Sequence, residues 1–467
     1  MKKILLAALA AVILIGYPLS TYLLGVRAEN ASRAWVETLS AAVPYFRVAK
    51  NDYRRSFLKA THVVELEAAL PGMDTPFVVT MQNEVEHGPF PGFNSLGVAR
   101  VTHTLVLPAR VQQQLAKVLG DKPPLSAVTM LKLGGGGSTR VTSPAFTYKD
   151  EKGEASWQGI DGQMDFSKGY ERVNYTFAAP GLSAKMVDGS EMKIGKIGAA
   201  GQQEKIAQTE ALYTGNSTVT VESVMASSGP QTTFSLSNIS YSADLRLPVP
   251  SFLDVSGKVA AQNIKFGAED WGTFEYAFSA KHLHLQSVDA FSKTMREAYA
   301  SSARRGQSAQ SATQLQTTML DAFKQHGGTL LKNDPVIELD RLRLGTERDY
   351  LSMNGSIRFV GVTDADIKNP MGLIPKINAR AEIVLAETML TRIAGKASST
   401  LGRNARGSDP ATAEAPAGND VLPMVNAQTE NAVAQGYIIR GGGTLRSTIT
   451  YADGKLSING RAVDNMK

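Results

Sequence analysis

Glu86 and His87 stand directly before Gly88-Pro89-Phe90-Pro91-Gly92. An imidazole next to a carboxylate on a rigid turn is what a general base with an orienting partner would require. Adjacent side chains of an extended segment point to opposite faces, however, and no Gly-x-Ser-x-Gly nucleophile elbow accompanies the pair. The same residues make a tight turn, because glycine admits unusual φ and the two prolines hold φ near about −65°. His87, Gly88, Pro89, Phe90 and Pro91 are therefore read as a structural bend with Phe90 as its buried anchor. Base chemistry at His87 is the competing role, and a hydrolase could instead use an Asp/Glu pair such as Asp74 and Glu84.

Other candidates are thinner. His282 and His284 sit at i, i+2 on an expected strand and so share a face, but zinc needs a third ligand that nothing nearby supplies. Gly134 to Gly137 before Ser138, and Gly441 to Gly443, lack the Gly-Lys-Ser/Thr of a phosphate loop and precede strands rather than helices. Both are read as loops. Tyr53, Arg54, Arg55 and Lys59 follow the N-terminal apolar stretch and are candidates for contact with anionic headgroups, at about 1 kcal/mol per basic residue near the surface. The absence of cysteine excludes thiolate metal sites, thiol catalysis and disulfides. No catalytic set, cofactor pattern or metal set emerges.

The net charge of +6 comes from 49 basic and 43 acidic residues spread along 467 positions. Nucleic-acid binding needs basic residues gathered on one face, so that class is set aside. The compartment is read from the N-terminus. Lys2 and Lys3 precede Ile4 to Val26, an uncharged run ending at Arg27, and about 20 apolar residues suffice to cross a bilayer as a helix. The positive-inside bias would hold the lysines in the cytoplasm and export everything after Arg27. A cleaved signal peptide ending near Val26-Arg27-Ala28 is the alternative, although the run exceeds the usual apolar core of about 7–15 residues.

Residues 1–27 are thus a cytoplasmic tip and transmembrane anchor, and residues 29–43 a short amphipathic helix stopped by Pro44. Residues 28–285 read as an antiparallel β-rich region, since period-two runs such as His62 to Glu67, Val101 to Val106 and Thr273 to Phe278 are separated by turn clusters. Residues 286–330 carry helical spacing. Residues 331–467 return to strands and end on a hairpin turning at Asp453-Gly454, with residues 398–419, rich in Ala, Gly, Ser and Pro, as a mobile loop. The expected fold is mainly β, a β-rich α+β body of one large twisted antiparallel sheet or two packed sheets with a few helices behind a transmembrane helix. The apolar face of such a sheet must be covered by helices, a second sheet or a ligand.

The Lys-Lys anchor, Tyr53-Arg54-Arg55-Ser56-Phe57, His87-Gly88-Pro89-Phe90-Pro91, Gly436-Tyr437-Ile438-Ile439-Arg440 and Asp453 to Gly460 together give the chain a pattern that resembles the YdgA-like family of bacterial inner-membrane proteins, across nearly its whole length. The resemblance implies a single-pass envelope protein facing the periplasm as a homodimer, with no established catalytic residues. It is more distantly similar to AsmA-like envelope proteins, which implies a lipid-related groove. Residues 398–419 match nothing in that pattern. The expectation is a non-enzymatic envelope protein that binds a partner or a hydrophobic or lipid ligand through a β-sheet groove. A periplasmic hydrolase using His87 and a dimeric envelope scaffold are the alternatives.

Overall fold

In the computed structural model the described residues are 16–42, 46–68, 77–93, 95–107, 109–229, 231–305, 310–406 and 421–463. The chain runs through α1 (Tyr17–Ala42), β1 (Phe46–Arg55), β2 (Lys59–Ala68), β3 (Phe77–His87), β4 (Ala99–Val106), α2 (Ala109–Leu119), β5 (Ser126–Leu131) and β6 (Gly137–Ser143). Next come β7 (Phe146–Asp150), β8 (Gly153–Trp157), β9 (Ile160–Phe166), β10 (Arg172–Ala179), β11 (Leu182–Met186), β12 (Glu191–Ile194), β13 (Ile197–Lys205) and β14 (Tyr213–Ser228). Long strands β15 (Gln231–Val249), β16 (Phe252–Phe266) and β17 (Glu269–His284) lead into helices α3 (Leu285–Arg305) and α4 (Gln310–Leu331). The remainder is β18 (Val336–Gly345), β19 (Tyr350–Phe359), α5 (Asp364–Lys368), α6 (Pro370–Leu373), β20 (Ile377–Ala386), α7 (Glu387–Arg406), α8 (Val421–Ala434), β21 (Ile439–Gly441), β22 (Thr444–Ala452), β23 (Lys455–Ile458) and β24 (Arg461–Ala462). The protein is mainly β and antiparallel, as expected. It divides into two units: the first takes in the chain to Glu222 with residues 228–230 and 286–327, the second residues 223–227, 231–285 and 328–467.

In the first unit, strands β1 to β6 pair in chain order, and β9, β10, β13 and β14 continue the series from β6. Strands β7, β8, β11 and β12 pair in a second run, which rejoins the series where β12 pairs with β14. Helix α1 lies on the face of β1 to β4. Thr21, Leu24, Gly25, Ala28, Ser32 and Val36 are buried at the three- and four-residue spacing that makes one helix face. Leu24 and Ala28 pack with Ala60, Val85, Val98, Ala99 and Val101, and Val36 packs with Val64 and Leu66. The N-terminal turns of α1 therefore lie over the β1–β2 turn end of the sheet.

This placement corrects the N-terminal expectation. One continuous helix crosses the proposed boundary at residue 27, and Thr21, Leu24 and Gly25, assigned to the bilayer, are buried against the protein's own sheet while Tyr22 and Leu23 stay exposed. An apolar side chain is as well buried by a sheet as by lipid, so composition alone could not separate the two. Among the described residues no helix is long and apolar enough to cross a membrane. The rest of the expected anchor, residues 1–15, lies outside the described residues. At the other end, residues 398–406 of the expected loop are helical, being the last turns of α7, while residues 407–419 lie outside the described residues.

In the second unit β15, β16, β17, β18, β19, β20 and β22 pair in that order, every pair antiparallel. Register shifts interrupt four of those six pairings, and β-bulges of this kind bend a strand and increase its twist. Strand β23 extends the sheet from β22 across the Asp453-Gly454 turn, with both turn residues at positive φ.

Candidate ligand-binding face

His87 ends β3 and is 3% exposed, with its ring against Gly25 of α1. Its Nδ1–H donates to the Phe57 carbonyl at 3.0 Å, and its backbone N–H donates to the Leu58 carbonyl at 2.8 Å. Glu86 points the other way, 3.3 Å from Arg100 and 3.7 Å from Lys59. The pair is thus split across the two faces of the strand, as alternation requires. The bend itself is present, closed by Gly88 N–H to the Val98 carbonyl and Gly97 N–H to the Pro89 carbonyl. Phe90 is not its buried anchor, since it is half exposed while Pro91 is buried. Glu84 is exposed on the outer face, and Asp74 lies outside the described residues.

His282 takes a φ of 58°, which breaks the alternation that would have put it on one face with His284. The two rings flank Phe252 instead: His282 stacks on it with centroids 3.8 Å apart, and His284 meets its edge at 6.2 Å. Among the described residues no group of three or more His, Asp or Glu side chains is placed to hold a metal. Gly134 to Gly136 form the β5–β6 turn and Gly137 opens β6, while Gly441 ends β21 and Gly442 and Gly443 turn into β22. Of the basic group, Arg54 and Lys59 face solvent, and Arg55 reaches across to Glu29 at 3.7 Å. Tyr53 faces inward, packed beside the Leu24 cluster and 5.3 Å from the His62 ring. Burial raises its phenol pKa, and Glu29 adds to the rise.

Beneath α1 lies a polar row that the sequence reading missed. His62, Asn83 and His103 are direct cross-strand neighbours on β2, β3 and β4. His62 Nε2–H donates to Asn51 Oδ1 at 2.7 Å, and His103 Nδ1–H donates to Asn83 Oδ1 at 2.7 Å. His103 Nε2 in turn accepts from the Thr129 hydroxyl at 2.8 Å, which lies 2.8 Å from that of Thr139. Both imidazoles are held neutral: burial, and then its neighbour His62, push His103 down to about 4, and burial followed by Arg33 lowers His62. The row separates the two apolar clusters under the helix. Polar residues at strand positions that alternation assigns to the core were the available signal.

The second unit's sheet carries a larger surface. Directly opposed residues of an antiparallel pair share a face, so the register places Tyr241, Val259, Tyr276, Leu342, Met353 and Ile383 in one row across six strands. A neighbouring row runs Leu245, Val255, Ala280, Ile337, Ile357 and Ala379. Phe274, Leu344, Leu351, Leu385 and Leu445 make a third. The opposite face is charged, with Lys258 3.0 Å from Glu275 and Lys281 paired to Glu338. Helix α7 packs at the Leu385 end, where Met389 is fully buried and Arg392 lies over the Trp271 ring. Away from that end Tyr241, Tyr276, Ile337 and Ile357 stay exposed. Contiguous exposed apolar patches are, as a class, interaction sites on protein surfaces.

A cleft of about 520 Å³ between α2 and the outer face of β4, lined by Val106, Leu107, Leu115 and Pro123, is a smaller apolar feature of the first unit. No curated protein and no solved structure matches the chain at a significant level. A family description matches residues 1–466, virtually the whole length, and the chain belongs to that family: DUF945, bacterial proteins of unknown function.

Proposed function

We propose that this chain is a single-pass inner-membrane protein of the YdgA-like group, with a periplasmic body that holds a hydrophobic ligand, the acyl chains of a lipid, on the apolar face of its second sheet, and that it performs no catalysis. The carrying observation is the set of continuous apolar rows, with Tyr241, Tyr276, Ile337 and Ile357 left exposed among them. A broad apolar sheet face suits alkyl chains, which need area and no directional bonds. The burial of His87 under Gly25, with a backbone carbonyl as its ring partner, weighs against the hydrolase alternative. The anchor in this proposal is Ile4 to Ser20, the apolar residues that precede the docked part of α1.

Mild-detergent purification of the full chain followed by native mass spectrometry and lipid extraction tests the binding. Co-purified lipid that is lost on Tyr276→Glu with Ile357→Glu is the expected result. A protein free of lipid, with the same face joining two copies, would favour the dimeric scaffold.

A further inference from the structure

The turns β1–β2, β3–β4 and β5–β6 all lie at one end of the first sheet, because successive antiparallel strands reverse direction. That end is unusually apolar on its outside. The β1–β2 turn exposes Phe57 and Leu58, and the β3–β4 connection exposes Phe90, Phe93 at 79% and Leu96 at 61%. Leu133 is exposed on the β5–β6 turn.

The first turns of α1 come to the same place. Gly25 lies on His87, Arg27 donates to the Leu133 carbonyl at 3.1 Å, and the Arg55 guanidinium sits 5.0 Å from the centre of the Tyr22 ring. Leu19, Tyr22 and Leu23 are exposed there as well. Arg27, Arg54, Lys59 and Lys132 add exposed basic side chains at this end, Arg54 paired with Asp52 at 2.9 Å and Lys59 3.7 Å from Glu86. Apolar loops ringed by lysine and arginine are the composition of a surface that enters the headgroup–acyl boundary.

The chain that leads into this end is apolar. With α1 docked from Thr21 onward, the uncharged residues free to enter a bilayer are Ile4 to Ser20, a stretch of 17. That is at the lower limit of about 17–25 residues for a spanning helix. Helix α1 runs unbroken from Tyr17 into its docked turns, so no tether separates that helix start from the body.

We infer that the rim formed by Phe57, Leu58, Phe90, Phe93 and Leu96 is inserted in the outer headgroup region of the membrane, seating the first unit on the lipid surface beside its anchor. The occupant is the bilayer itself, and the inference rests on the membrane-anchored reading above. The His-Gly-Pro-Phe-Pro bend then has a role beyond turning the chain: the buried His87 and Pro91 fix a loop whose phenylalanines project.

The test uses the full chain reconstituted in phosphatidylethanolamine–phosphatidylglycerol vesicles with plain or brominated acyl chains. Phe93→Trp is compared with Val187→Trp, an exposed turn of the same unit, over the background of the native tryptophans, and flotation is measured in parallel. The expected result is flotation of both variants, with the emission added at residue 93 blue-shifted and quenched by bromolipid and that at residue 187 unchanged. Flotation without quenching at residue 93 overturns the rim and leaves the anchor standing. Failure to float overturns both.

Discussion

A β-carbon on Gly25 would lie 2.9 Å from His87 Nδ1, so α1 and β3 close on each other where only a hydrogen atom fits. The same nitrogen donates its hydrogen to the Phe57 carbonyl, which holds the ring in place. Gly25→Val is therefore expected to destabilise the first unit by about 1–3 kcal/mol, as overpacking does. Combined with His87→Ala, which vacates the space, the two effects should fall short of additive by about 1 kcal/mol. Thermal unfolding of the detergent-solubilised chain reads this, and strict additivity would mean that the helix does not dock at this point.

The polar row under α1 makes stability depend on pH with a definite sign. His103 titrates near 4 when folded, below its ordinary 6.5, so between those values the unfolded chain binds a proton that the native one excludes. Stability is full above about pH 6.5 and is lost progressively as pH falls toward 4, by up to about 3 kcal/mol. His103→Gln cannot take up that proton and should flatten part of this slope, His62 supplying the remainder. Equal slopes for the two proteins would show that His103 is solvated.

The second sheet should answer differently at its two kinds of apolar position. Leu253 is 1% exposed and Tyr276 38%. Leu253→Ala is expected to cost about 2–5 kcal/mol through lost burial and a cavity, whereas Tyr276→Ser, which loses a partly exposed ring beside Phe278, should cost about 1 kcal/mol. A large loss at Tyr276 would mean that the face is closed by the protein itself.

Topology can be read directly because the chain has no cysteine. Lys467→Cys supplies a single thiol, and a membrane-impermeant maleimide should label it in spheroplasts while leaving Lys2→Cys unlabelled. The reverse pattern would place the body in the cytoplasm.

Strands such as His62 to Glu67 and Thr273 to Phe278 were legible because alternation follows from the pleat alone. What each face meets was not. Tyr53 turns inward because a register shift between Val48 and Lys50 resets the alternation of β1, and no residue type announces such a shift. The positive φ of His282 separates it from His284 for the same kind of reason. The apolar face of the second sheet was foreseen as a property of strands, yet its rows depend on cross-strand register, which exists only once the bulges are placed. Residues 398–406 were assigned to a loop on composition, but Ala, Leu and Arg there continue the helix that Glu387 begins.

Photo-crosslinking from the position of Tyr276 in the intact membrane tests the central claim most directly. With a benzophenone side chain placed there in the full chain, the expected adduct is a lipid acyl chain, detected by mass spectrometry of the digested protein. Adducts made only to polypeptide would contradict the lipid-bearing face.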